Sequence, residues 1–473
     1  MTLSHLFWGK ADCVELARRY GTPLYVMDEA VIRARCAEIR ADFLDKWRNT
    51  AACYASKAFL TTAMARIADQ EGLGLDVASG GELHVARKAG FPPSRIELHG
   101  SAKSERELRA ALEYGVGRII VDGVMELELL SSLAAEMKKK IKKRAAILLR
   151  VAPGVTPHTH AHLVTGHAGS KFGLPPGDIL RGAVRFALAS ESLDLLGFHF
   201  HVGSQIFEPA SHAEAVARMA ALLETLKTEQ GFEARELNFG GGFGVGQLPE
   251  SFDTGAPDAP NSQNNAAAEP HVPLRLFTDT MMETLTRECG IRHIPRPAVT
   301  IEPGRWVVAG AGITLYTIET IKKLEGVTYA GVDGGMPDNP RPSLYGAEYR
   351  AALAGKFDAA LFFKRADAGA KVMVAGKCCE TGDILIGSEN LPGAERGDVL
   401  AVFNTGAYNF SMASNYNRLP RPAVVLVRDG RADVIAERQT EDDLLRGDSI
   451  PAHLQSPASC YNPPAAAGAG RGK

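Results

Sequence analysis

The seven residues from Cys53 to Phe59, CYASKAF, set one lysine, Lys57, in a run that is otherwise small, apolar or aromatic. A charge there is costly unless it is paired or neutralised. A lysine relieved of its proton by such surroundings is a good amine nucleophile toward aldehydes. The plainer reading is that Lys57 leaves its strand and reaches solvent. Other residues capable of chemistry recur where β-like runs end. Asp76 and Ser79 close GLDVAS, His99 closes IELHG and Asp122 closes RIIVD. His201 and Ser204 end GFHFHVG, Gly240, Gly241 and Gly242 follow ELNF, and Glu302 and Arg305 follow AVTI. A glycine triplet allows backbone N–H groups to approach a phosphate closely.

These positions need a scaffold that aims the ends of many strands at one place. Eight β-rich runs, at 51–56, 74–79, 96–100, 118–122, 146–151, 197–203, 236–241 and 298–303, alternate with segments of helical periodicity. Eight such units predict an α/β fold, a (β/α)8 TIM-type barrel, rather than an open doubly wound sheet. Barrel enzymes build their sites at the carboxyl ends of the strands and bind phosphate after strands 7 and 8. That is where Gly240 to Gly242 and Glu302 fall. From residue 306 the pattern turns to short strands and turns, an all-β domain, and TPLYVMD ahead of the barrel has matching β character. The expected division is a barrel over 29–305, a β-sandwich or β-barrel domain from 1–28 with 306–446, and a tail over 447–473. The segment 248–270 is low in complexity and polar, and reads as a disordered insertion.

Composition narrows the partners. With 473 residues, 45% hydrophobic and 23% charged, the chain has a soluble balance and room for two or three domains. A net charge of −2 implies neither a nucleic-acid nor a membrane partner. The run KKKIKKR at 138–144 reads as a solvated helix end. Seven cysteines without a regular framework fit a reducing compartment, and Cys378-Cys379 make no zinc spacing. His158, His160 and His162 lie on an irregular loop with no nearby carboxylate, so no metal is expected. The N-terminus lacks the basic and apolar regions of a signal peptide, and no apolar run approaches membrane length. A cytoplasmic protein is expected.

The motifs YASKAF, HFHVGSQ, GGGFG, EPGR, VDGG, GKCCETGD and TGAYNFSMASNYN follow one another from about Pro23 to Arg446. Their order resembles that of the fold-type III pyridoxal-phosphate decarboxylases, and within them the diaminopimelate decarboxylase family. The resemblance implies pyridoxal 5'-phosphate as cofactor, an amino-acid substrate and a homodimer with shared active sites. It implies decarboxylation of meso-2,6-diaminopimelate to L-lysine and CO2, the last step of lysine biosynthesis. In that light Lys57 resembles the lysine that carries the cofactor covalently, and Glu302 the carboxylate that keeps the pyridine nitrogen protonated. His201 resembles the histidine stacked on the ring. Asp76 joins the cofactor set, Ser204 and Gly240 to Gly242 would hold the phosphate, and Tyr408 would reach it from the partner subunit. Cys379 is similar to the family's proton donor, also brought in by the partner, while Cys378 reads as a buried β-domain cysteine. Arg305, Arg341 and Tyr345 match ligands of the substrate's second carboxylate, and Glu380 the ligand of its amine. The segment TGHAGSKFG resembles the family's specificity region. A related decarboxylase of D-lysine, D-ornithine or carboxynorspermidine is the alternative, and the two arginines argue against it. A non-catalytic homologue would have no need of Cys379, Glu380 and Tyr408. The insertion and the tail depart from the family pattern without touching a motif.

Overall fold

Aliphatic runs alternate with capped amphipathic helices between residues 50 and 301, and they close into a ring of parallel strands. The computed structural model describes residues 4–141, 143–155, 171–246, 272–359, 362 and 371–455. Its barrel strands are Thr50–Ala55, Gly74–Val77, Ile96–Leu98, Arg118–Val121, Ala145–Arg150, Leu193–His199, Glu236–Asn238 and Ala298–Ile301. Each pairs with its chain neighbour, and the last returns to the first through Val299 with Thr50 and Ile301 with Ala52. The chain is therefore a TIM-type barrel, as its periodicity predicts. The sixth strand starts at Leu193 rather than 197, because Leu193 to Leu195 already pair with Ala145 to Ile147.

Side-chain caps fix the N-termini of the helices after the first three strands. Ser79 caps Gly80–Lys88 by accepting the Glu82 N–H, so this strand-end serine serves the helix. Ser104 and Glu107 form a reciprocal capping box on Glu105–Tyr114, which Gly115 terminates in a left-handed conformation. Caps of this kind each stabilise by about 1 kcal/mol. The inner faces of the helices, for example Leu108, Ala111 and Leu112, are buried against the barrel. The result is a rigid ring whose strand ends open at one mouth.

The second domain is a nine-stranded sheet. An interior strand of it, Leu24–Asp28, comes from ahead of the barrel, and all five residues are buried. It runs antiparallel to Gly312–Leu324 and parallel to Ala423–Arg428. Val327–Val332, Lys371–Ala375 and Val399–Val402 follow the β-runs TYAGVDGG, KVMVAG and DVLAVFN, while Ile384–Asn390 is a strand that the β-runs do not announce. The region is not purely β, since helices Arg341–Tyr345 and Glu441–Leu445 interrupt it and Cys13–Tyr20 packs on its core. A further β-like run, LFFKRA at 361–366, lies almost wholly outside the described residues. So do His158, His160 and His162, most of TGHAGSKFG, the 248–270 insertion and most of the tail.

The sheet domain is pinned to the barrel mouth beside Lys57. The Ala58 carbonyl accepts from the Tyr408 N–H at 2.7 Å and from Ser411 Oγ at 3.2 Å. Phe410 meets Phe59 edge-on, with ring centres 5.6 Å apart.

Candidate active site

Lys57 sits in a single 3-10 turn, Ser56–Ala58, directly after the first barrel strand. Its side chain is 45% exposed and open toward the mouth, while Asp76, at the end of the second strand, is 1% exposed. Lys57 Nζ lies 3.6 Å from Asp76 Oδ2. Burial on its own would lower the Lys57 ammonium, but Asp76, Tyr408 and Glu302 outweigh it and raise it above the ordinary lysine value. This corrects the expectation that apolar surroundings strip the proton. In the free chain Lys57 is paired rather than neutralised, and it becomes a nucleophile only when Asp76 or an incoming group takes its proton. Neither oxygen of Asp76 accepts a hydrogen bond among the described residues, so this buried carboxylate is poised for a ligand.

Glu302 anchors the floor of the site. His99 Nε2 lies 2.8 Å from Glu302 Oε1, at ion-pair distance but off the ring N–H direction. His199 Nε2 lies 3.3 Å from Glu302 Oε2. Asn238 Nδ2 donates to Glu302 Oε1 at 2.8 Å. Burial would push the Glu302 carboxyl up, but the two imidazoles and their contacts hold it well below the usual carboxylate range. Burial would lower His99, yet Asp76 and Glu302 push it up to about 10. His199 is instead brought down to about 4, chiefly by burial. One charged and one neutral imidazole thus face a single anionic carboxylate.

The glycine turn forms the third wall. A side chain on Gly240 would meet the Phe200 carbonyl at 2.7 Å, and Gly240 has φ +67°. At Gly241 and Gly242 a Cβ would come within 2.1 Å of the carbonyls of Glu302 and Gly203. Two of the three N–H groups have partners already. Gly240 donates to Asn238 Oδ1 at 2.8 Å, and Gly241 donates to His201 Nδ1 at 3.2 Å. The bond to Gly241 fixes the orientation of the His201 ring, and burial with Lys57 nearby holds that ring well below the ordinary histidine pKa. Arg305 Nη2 donates to Ser204 Oγ at 3.3 Å.

Above this floor lie two arginines. The Arg305 guanidinium stacks over the Tyr408 ring at 4.7 Å, and Arg341 stacks over Tyr408 at 5.5 Å and over Tyr345 at 5.7 Å. No carboxylate among the described residues pairs with either one, and both Nε atoms lack acceptors. Burial and the neighbouring Arg341 bring Arg305 down to about 10. Two adjacent cations without an anion mark a place for an acidic ligand.

Tyr408 needs correction. It was expected to arrive from a partner, but it stands on its own chain's site, bonded through its backbone to Ala58 and stacked on Arg305. Its φ of +64° belongs to the left-handed region, uncommon for a side-chain-bearing residue. Cys379 and Glu380, in contrast, do not join the cluster. The Cys379 N–H donates to Asn417 Oδ1 at 2.9 Å and its thiol is exposed, while Glu380 bonds only within its own loop. Cys378, expected to be buried, is only half-buried. The residue reading missed His199, Asn238, Glu97 and Arg150. Arg150 closes the fifth strand, 3.7 Å from Asp122, and stacks over Phe172. A signal for His199 was available, since it precedes His201 by two residues and so shares its face of the chain.

An amine beside a buried carboxylate, a turn that only glycine can form, and an anionic glutamate at the barrel centre fit an aldehyde-bearing pyridine with a phosphate arm. These are the fold and site of a pyridoxal-dependent decarboxylase, and the family described as "Pyridoxal-dependent decarboxylase, pyridoxal binding domain" matches residues 29–309. The chain is 42% identical over 447 residues to diaminopimelate decarboxylase of Bacillus subtilis, covering 94% of this chain and 95% of that one. It is 39% identical to the Synechocystis diaminopimelate decarboxylase, over 95% of this chain and 91% of the relative. The solved structure of the M. jannaschii diaminopimelate decarboxylase in complex with L-lysine superposes with a TM-score of 0.82 at 31% identity, covering 95% and 97% of the two chains. The chain belongs to the diaminopimelate decarboxylase family.

Proposed function

We propose that this chain decarboxylates meso-2,6-diaminopimelate to L-lysine and CO2, acting in the cytoplasm as a homodimer with pyridoxal 5'-phosphate attached at Lys57. The observation that carries the substrate is the pair Arg305 and Arg341, adjacent, without an anion among the described residues and walled by Tyr408 and Tyr345. A second carboxylate on the substrate supplies the missing charge, and guanidinium groups hold it in a planar fork. When bound, the cofactor supplies an electron sink for the pair released as carbon dioxide leaves the α-carbon.

The chain's own groups do the rest. Asp76 lies against the Lys57 ammonium and would take its proton, freeing the amine to hold the cofactor's aldehyde carbon. Glu302, held anionic beside His99 and His199, would favour a protonated pyridine nitrogen. His201, oriented by the Gly241 N–H, would pack on the cofactor, and Ser204 with the glycine turn would hold its phosphate. The α-carbon then needs a proton. Cys379 supplies it and Glu380 reads the distal amine, both from a second copy of the chain, because in their own chain they lie apart from Lys57. A thiol suits this task because its ordinary pKa is nearer neutrality than a hydroxyl's.

The test is mass-spectrometric product analysis of purified protein with pyridoxal phosphate and a panel of meso-diaminopimelate, lysine and ornithine. L-lysine formed selectively from meso-diaminopimelate is the expected result. Equal kcat/KM on ornithine or lysine would refute the reading.

A further inference from the structure

Glu97 is a carboxyl in the barrel interior that the chemistry above leaves unused. It lies on the third strand, two residues before His99, and is 4% exposed. Burying a carboxyl this deeply is costly unless its oxygens are satisfied. Asn238 Nδ2 donates to Glu97 Oε2 at 2.7 Å and to Glu302 Oε1 at 2.8 Å. The same amide, through Oδ1, accepts the Gly240 N–H at 2.8 Å. His99 Nε2 lies 3.8 Å from Glu97 Oε2. One asparagine therefore touches the floor carboxylate, the glycine turn and Glu97 at once, and Glu97 is the only one of the three with no part in the chemistry above.

We propose that Glu97 and Asn238 form a positioning pair that locks Glu302 and Gly240 to each other, and so fixes the distance between the two ends of the cofactor site. An amide side chain on a short stem can rotate and exchange its N–H and C=O. With only Glu302 and Gly240 as partners, Asn238 would have one N–H unsatisfied inside the barrel, at a cost that favours rotation away. Glu97 takes that second N–H and holds the amide in the one orientation that serves both ends. The reading rests on the cofactor assignment above and adds the residue that aligns its parts.

Electrostatics supports the same arrangement. Two carboxyls sharing one donor and one imidazole cannot both ionise cheaply. Burial first, and then Glu302, raise Glu97, whereas Glu302 is held down by His99 and His199. Charge is thus favoured on Glu302 over Glu97, against the pull of His99 and, more weakly, Arg118 on Glu97. Glu97 also has a route to solvent on the side away from Lys57. A cavity of about 530 Å³ opens among the amino ends of the strands, lined by Cys53, Gly74, Glu97, Arg118, Glu236 and Thr300.

The test compares Glu97→Gln, which keeps a neutral acceptor for Asn238, with Glu97→Leu, which removes it. The readout is the dissociation constant for pyridoxal phosphate of the full-length protein, followed by the absorbance of the bound chromophore. Glu97→Leu should weaken cofactor binding by about tenfold or more, and Glu97→Gln should restore it to within about threefold of the parent. A Glu97→Leu protein that binds the cofactor as the parent does would overturn the proposal. So would a Glu97→Gln protein as impaired as Glu97→Leu, because the ionised carboxylate would then be what matters. If Glu97→Leu does not fold, the same cofactor titration on Glu97→Ala decides: a loss of about tenfold or more supports the pair, and binding as tight as in the parent overturns it. These readouts use no substrate, so failure of the substrate assignment alone would leave them standing.

Discussion

The two halves of the site are built to opposite rules. On the barrel, charges are compensated within one chain: Lys57 faces Asp76, and Glu302 faces His99 and His199. Along the sheet domain they are left open. Arg305, which joins the two domains, and Arg341 have no anion among the described residues, and Cys379 stands exposed. The barrel half has its charges compensated before anything binds. Under the proposed function, the other half would acquire its partners from a substrate carboxylate and a second copy of the chain. A site divided this way would keep its barrel half ready while the acid arrives from elsewhere.

The sharpest way to break this contrast is to remove one group from each half. Lys57→Ala and Cys379→Ala should each lose activity by about a thousandfold or more, one lacking the cofactor attachment and the other the acid. Mixing them in equal amounts should recover roughly a quarter of parental activity, since about half the dimers are then mixed and each contains one intact site. Native mass spectrometry on tagged chains verifies the exchange. Mixed dimers that stay inactive would show that Cys379 serves its own barrel.

A smaller effect tests the open cations. Arg341→Met should cost about 3 kcal/mol, roughly a hundredfold in kcat/KM for meso-diaminopimelate, while turnover of a substrate lacking the second carboxylate changes little. A uniform loss on both substrates, measured by steady-state kinetics, would mean that Arg341 supports the fold rather than the substrate.

The smallest effect concerns the compensated half. The folded-state pKa of His99, about 10, lies above the unfolded value near 6.5. Its stabilisation is complete below about pH 6.5 and fades as pH rises toward 10. The melting temperature of the cofactor-free protein should therefore fall by a few degrees between pH 7 and pH 10. His99→Gln should flatten that slope, which differential scanning fluorimetry can follow. An unchanged slope would place the titration elsewhere.

The same contrast explains what was legible from the residues. Strand periodicity and the glycine turn are local, so the barrel and the positions of Lys57, Gly240 and Glu302 could be read along the chain. The pairing of Lys57 with Asp76 joins neighbouring strands through space, and no local pattern announces that it outweighs the effect of burial. Tyr408 was misplaced for a related reason, because motif order says nothing about which copy of a domain packs on which barrel. The bond from its N–H to the Ala58 carbonyl and its stacking on Arg305 assign it. Asn238 gave no warning, since an asparagine before a glycine turn reads as turn chemistry until its contacts with Glu97 and Glu302 are seen.

The strand Leu24–Asp28 has a consequence for biosynthesis. It is made before the barrel, yet its neighbours are Gly312–Leu324 and Ala423–Arg428. At 5–20 residues per second, a ribosome takes roughly twenty seconds to more than a minute to deliver the second of them. Through that interval five residues destined for complete burial wait at the front of the nascent chain, with both backbone edges unpaired, while the barrel forms behind them. A fusion or truncation at the N-terminus that delays or captures this strand should spare the barrel and leave the sheet domain without this interior strand. The ring holding Lys57 would then form on a chain unable to present Arg341 or Cys379.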